Sequence, residues 1–105
     1  MILEAPSDYL FNLRAMTSSE AKRMWRTAIK DEWDNRCAYC GSSHNLTLDH
    51  VTPKMLGGND RTHNVVPACR PCNQSKGSHH WLSWWVGQES FDQSNFSKVL
   101  SWTTT

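Results

Sequence analysis

Two Cys-x-x-Cys pairs, Cys37/Cys40 and Cys69/Cys72, flank an Asp49-His50 dipeptide, with Asn64 before the second pair and Asn73 directly after it. Two residues between cysteines let both sulfurs of a pair reach one tetrahedral ion from a tight turn, at Zn–S distances of about 2.3 Å. Two pairs complete a four-thiolate shell with no open position, so a zinc ion held by Cys37, Cys40, Cys69 and Cys72 is structural. The alternative for such cysteines is a redox dithiol or unpaired buried thiols. His50 is a side chain that, neutral near pH 7, can take a proton from water. Asp49 beside it offers oxygen ligands suited to a hard cation. Standing alone, an Asp-His pair reads as a turn carboxylate and a packed strand residue, and Asn64 and Asn73 read as turn or cap residues. The cysteine frame around them is what makes a hydrolytic centre the stronger reading.

These residues have to be carried by a small fold. The chain has 105 residues, 38% of them hydrophobic, with a mean hydropathy of −0.64. That is room for one domain, 1–105, with a modest core for which a metal staple is a natural reinforcement. Residues 1–16 show no convincing period and are expected to form an irregular arm or a short turn. Thr17-Ser18-Ser19-Glu20 has the form of a capping box, and Ala21, Met24, Trp25, Ala28, Ile29 and Trp33 recur at helical steps, so a helix is expected over 17–34. On its other faces Lys22, Arg23, Arg26 and Lys30 read as a solvated surface or as phosphate contacts.

Between the cysteine pairs, Asn45 to His50 alternates as a short strand does, stopped by Pro53, and a loop passes through Gly57-Gly58. Asn64 to Pro67 is a second extended run, and Arg70 to about Gly77 is a helix ending at the glycine. Strand, loop, strand and helix make a ββα unit over 37–77, with the metal clip closing the base of its hairpin. The C-terminal segment, 78–105, holds four of the six tryptophans. Trp81, Leu82, Trp84, Trp85 and Val86 are too dense for a solvent-facing helix and should pack on the rest. Asp92 should cap a last helix, with Phe91 and Phe96 as its hydrophobic staple and Phe96, Val99 and Leu100 turned inward.

Composition narrows the setting. The net charge of +1 gives no overall polyanion-binding signal, yet between Arg36 and His80 five lysines and arginines face two aspartates, and all five histidines lie there. Cysteines confined to close pairs suit a reducing compartment, and Glu4 and Asp8 interrupt any secretory signal pattern. The expectation is an intracellular, cytoplasmic protein. No segment approaches the roughly 20 apolar residues that span a bilayer.

Taken together, Cys37-x-x-Cys40, Leu48-Asp49-His50-Val51-x-Pro53, Gly57-Gly58, Asn64 and Cys69-x-x-Cys72-Asn73-x-x-Lys76-Gly77 resemble the HNH endonucleases, also called ββα-metal nucleases. The resemblance covers residues 37–77 in the family's order. It implies a small α+β fold, a ββα-metal core stapled by a four-cysteine zinc site with flanking N-terminal and C-terminal helices. It implies that His50 is the general base, that Asp49 and Asn73 hold a catalytic Mg2+ or Mn2+, and that Asn64 holds the loop that aims the histidine. The expected reaction is hydrolysis of DNA phosphodiester bonds to 5′-phosphate and 3′-hydroxyl ends, with nicking or weak specificity. The last motif position is Asn73 where the eponymous pattern has histidine; its amide oxygen can still coordinate a hard cation.

Adjacent residues of a regular strand face opposite sides, so Asp49 and His50 can serve one phosphate only if the strand bends or ends there. Lys76 is the leading candidate for a substrate phosphate contact, followed by Arg70, Lys54 and Arg61. DNA is the expected partner, a homodimer or a phage or host protein a further one, and a phage or mobile element the expected source. Two other classes stay open: a zinc-stabilised nucleic-acid-binding module without catalysis, and a protein-interaction module built on the tryptophan-rich segment.

Overall fold

The computed structural model describes residues 2–12 and 17–105. The element order is α1 (Pro6–Asn12), α2 (Ser18–Glu32), β1 (Leu46–His50), β2 (Val65–Cys69), α3 (Arg70–Lys76), α4 (Trp81–Trp85) and α5 (Gln93–Thr103), with single 3-10 turns at Lys54–Leu56 and Thr62–Asn64. It is a small α+β fold whose centre is a two-stranded antiparallel sheet followed directly by a helix. No helix among the described residues is long and apolar enough to cross a membrane.

The arm expected to be irregular contains a helix. Pro6 stands at the first helical position, where its missing N–H costs nothing, and the Asp8 carboxylate accepts the Ala5 N–H at 3.0 Å. Tyr9 is buried, and α1 lies along α2. The part of the arm at residues 13–16 lies outside the described residues.

Helix α2 begins as its sequence dictates, with the Thr17 hydroxyl accepting the Glu20 N–H at 3.2 Å. Its stripe buries Ala21, Trp25 and Ile29, while Met24 stays exposed and Trp33, just past the end, is buried. Trp25 donates from Nε1 to Thr62 Oγ1 at 2.9 Å, and Thr62 in turn donates its hydroxyl to Leu3 O and its N–H to Glu4 O at 2.7 Å. One buried threonine thereby ties the N-terminal arm and α2 to the turn that feeds β2.

The sheet register pairs Leu46 with Cys69 and His50 with Val65. All five residues of β2 are buried, as expected of a strand covered on both faces. Helix α3 ends at Gly77, whose φ of 52° lies in the left-handed region that favours glycine.

The tryptophan-rich segment packs inward through Trp81, Trp84 and Trp85, which are buried, with Leu82 half-buried, whereas Val86, just past the end of α4, is exposed. Asp92 caps α5 by accepting the Ser94 N–H, and the Phe91 and Phe96 rings meet at 5.8 Å as the staple requires. The inward set of α5 differs from expectation at one position. Val99 is buried and Phe96 half-buried, but Leu100 is exposed; Trp102 turns in instead, donating to Val65 O at 2.9 Å. The indole reaches an orphan strand carbonyl that leucine cannot satisfy, which decides which residue faces the core.

Candidate active site and metal clip

The clip forms because both cysteine pairs sit at chain reversals around β2: one in the turns before β1, the other across the β2–α3 junction. The four Sγ atoms lie within 4.8 Å of one another, and Cys40 and Cys69 are 3.5 Å apart. Zn–S bonds of about 2.3 Å in a tetrahedron place sulfurs about 3.8 Å apart, so small side-chain movements complete the shell. Cys37 Sγ already accepts the N–H groups of Tyr39 and Cys40, both at 3.4 Å. The Cys72 thiol beside it, with those N–H donors, brings Cys37 down to about 4. Burial pushes Cys40 up to about 11, and Cys72 is raised first by its bond to Cys37 and then by burial. One thiolate shares its neighbours' protons; a divalent ion bound there replaces those protons. The donor set fits a metal such as zinc.

Tyr39, between Cys37 and Cys40, links the clip to the motif dipeptide. It is fully buried, its ring meets Trp84 and Trp85 edge-on at 5.1 Å each, and its hydroxyl donates to Asp49 Oδ2 at 2.7 Å. Desolvation, then the Asp49 charge, holds the phenol well above its ordinary range.

Asp49 is buried and leans onto α3. Lys76, with no exposure at all, brings Nζ to 3.1 Å from Asp49 Oδ2 and 3.3 Å from Oδ1, and donates to His50 O at 2.9 Å. Burial pushes the Asp49 carboxyl above the ordinary carboxylate range, and Tyr39 and Lys76 pull it part of the way back. A carboxylate has about four lone-pair positions, of which these contacts occupy three. Lys76 is thus an internal counter-ion. The expectation that it contacts substrate phosphate is corrected: its ammonium is enclosed, and a lysine is buried only where it is paired.

Of the other expected phosphate contacts, Lys54 pairs with Asp60 Oδ2 at 2.8 Å and Arg61 pairs with Glu4. Arg70, exposed at the start of α3, has no acidic partner among the described residues.

Asn73, on α3, donates from Nδ2 to Thr47 Oγ1 at 2.8 Å and to Leu48 O at 3.3 Å. Both bonds use the amide nitrogen, which leaves Oδ1 without a partner among the described residues. Asn64 is spent on the loop: Oδ1 accepts the Thr52 N–H at 3.0 Å, while Nδ2 donates to Thr52 O at 3.1 Å and Asn59 O at 2.7 Å. The loop closes so tightly there that a Cβ on Gly58 would stand 1.8 Å from Thr52 O.

His50 leaves the strand in a different direction from Asp49. Its Nε2 meets Asp60 Oδ1 at 2.8 Å. Lys54 first, then His50, holds the Asp60 carboxyl below the usual carboxylate range. An ionised carboxylate only accepts, so Nε2–H is the donor to Asp60, and Nδ1 makes no hydrogen bond among the described residues. Sequence reasoning missed Asp60, an unremarkable loop aspartate. Despite their different directions, Asp49, His50 and Asn73 line one surface groove of about 300 Å3, with Leu48, Gly77 and Ser78. They do so because β1 ends at His50 and the chain turns away to Pro53.

A family model described as HNH endonuclease matches residues 37–81. The chain is 37% identical over 65 residues to the CRISPR-associated endonuclease Cas9 of Corynebacterium diphtheriae, covering 58% of this chain and 6% of that one. It is 30% identical over 88 residues to the "SPbeta prophage-derived putative HNH endonuclease YoqL" of Bacillus subtilis, covering 70% of this chain and 37% of that one. Among solved structures, the Type II-C Cas9 enzyme from Actinomyces naeslundii aligns over 93% of this chain and 12% of its own, with a TM-score of 0.48 and 19% identity. The chain thus spans well under half the length of these relatives. Residues 37–81 are thus a segment of the HNH endonuclease family.

Proposed function

We propose that the protein is a metal-dependent DNA endonuclease, with His50 as general base and a divalent cation held by Asp49 and Asn73. The supporting observation is the shared groove, which His50, Asp49 and Asn73 all line, with His50 Nδ1 and Asn73 Oδ1 not engaged by the bonds those side chains make. Water gives a proton to His50 Nδ1 as its oxygen bonds to phosphorus, the P–O3′ bond breaks and the departing oxygen takes a proton from solvent water, leaving a 5′-phosphate and a 3′-hydroxyl, and His50 then returns its proton to solvent. Asp49 and Asn73 would hold the Mg2+ or Mn2+, which when bound would supply neutralisation of the negative charge that develops on the phosphate. Asp60 fixes the tautomer and aim of His50. Asn64 holds the loop that carries Asp60. Lys76 and Tyr39 hold the Asp49 carboxylate in place, and the clip, filled by zinc, anchors Tyr39.

The test is incubation of supercoiled, linear and single-stranded DNA with the purified protein across a metal series. The reading expects nicks with Mg2+ or Mn2+ and none with chelator, ends that polymerase extends without treatment, and an Asn73→Ala variant that needs more metal. Absence of metal-dependent cleavage on all three substrates refutes it.

A further inference from the structure

A second and larger recess, about 770 Å3, opens on the other side of His50, between α2 and the end of β1. Its charged lining is Lys22, Arg26 and Lys30 from α2, with Lys54 and Asp60 from the loop. Lys22, Arg26 and Lys30 stand at four-residue intervals, hence on one row of the helix, with about 6 Å of rise per step. That step is comparable to the separation of neighbouring phosphates along one nucleic-acid strand. Among the described residues none of the three has an acidic partner, whereas Asp60 is already engaged by Lys54 and His50. Like charges four apart on a helix repel by a few tenths of a kcal/mol per pair, and a polyanion lying along the row relieves this.

We propose that the Lys22–Arg26–Lys30 row of α2 binds the phosphodiester backbone of the substrate and leads it to His50, a role that rests on the endonuclease reading. The recess and the catalytic groove share His50 and Lys54, so a strand lying along α2 runs toward the imidazole. The contacts are to phosphates and carry no base preference. Arg23 and Arg36 do not line this recess.

The test is fluorescence anisotropy of a labelled duplex titrated with protein over a salt series, without divalent metal. For Lys22→Gln/Arg26→Gln/Lys30→Gln, the slope of log K against log salt should flatten by about 0.9 per lost contact, about 2.7 in all. Lys22→Gln/Arg26→Gln, a milder change should the triple variant fold poorly, should flatten it by about 1.8. Arg23→Gln/Arg36→Gln, which removes charge off the row, should leave the slope near that of the unaltered protein. Circular dichroism and metal content check the fold. A row variant with an unchanged slope overturns the proposal, as does an equal loss per charge in the Arg23/Arg36 variant. Failure of the endonuclease reading shows separately, as absence of cleavage by the unaltered protein with Mg2+.

Discussion

Replacing Lys76 with methionine separates an internal counter-ion from a substrate contact. Methionine keeps much of the side-chain volume, so packing changes little, but the ammonium that touches both Asp49 oxygens and His50 O is gone. Asp49 is then a buried carboxylate with Tyr39 as its one remaining donor. Breaking a buried ion pair from one side typically costs about 3–5 kcal/mol. A second route sets a ceiling of similar size: protonating an ordinary carboxyl at pH 7 costs about 4 kcal/mol at 1.36 kcal/mol per pH unit. The sign of the pH dependence follows. Burial already raises the Asp49 carboxyl, and removing Lys76 raises it further. A carboxyl raised in the folded state contributes stability that is fully present below its unfolded pKa and is lost progressively as pH rises to its folded pKa. The variant should therefore unfold at much lower urea than the unaltered protein at pH 7.5, and the gap should narrow by up to about 2 kcal/mol at pH 6. Adding Asp49→Leu should restore much of the loss while leaving no cleavage. Urea unfolding of the zinc-loaded protein at both pH values measures this. Unaltered stability combined with weakened DNA binding would refute the buried-pair account and return Lys76 to the surface.

Three other substitutions probe the supports of the site. Tyr39→Phe keeps the ring contacts with Trp84 and Trp85 but removes the donor to Asp49; it should cost about 1.5–3 kcal/mol by urea unfolding and leave metal content unchanged. Asn64→Ala cuts three bonds that close the Thr52–Asn59 loop; single-turnover kinetics should show a slower chemical step with DNA affinity little changed, because the histidine loses its aim. Asp60→Ala frees His50 Nε2; an exposed pair of this kind is worth little in stability, so melting should hardly move while cleavage falls about fivefold as the ring loses the partner that fixes its aim.

What the sequence discloses follows from how local each signal is. The Thr17 and Asp92 caps, the end of α3 at Gly77 and the cysteine clip are written in residues a few positions apart, and the structure has all of them. Helix α1 was within reach too: Pro6 at a first helical position and the Asp8 return bond are start signals, but seven residues are too few for a period to show. The surroundings of Asp49 were out of reach. A lysine is ordinarily exposed, and nothing in the spacing of Lys76 says that α3 folds its ammonium onto a carboxylate 27 positions away. Tyr39 hides similarly, because its importance comes from lying between two ligands and under the tryptophans of α4. The basic row of α2 was visible as helical spacing, but its orientation toward His50 depends on how α2 packs against the sheet. In the same way, the exposure of Leu100 and the inward turn of Trp102 were settled by a carbonyl on β2 that the α5 sequence does not mention.

In the proposed mechanism His50 accepts the proton of the attacking water in the groove it shares with Asp49 and Asn73. The most direct measurement is Mg2+-dependent nicking of supercoiled plasmid by His50→Ala, alongside its metal content and melting curve. The expected result is loss of nicking with metal content, fold and DNA binding retained. Nicking at the unaltered rate by a folded His50→Ala protein would contradict it.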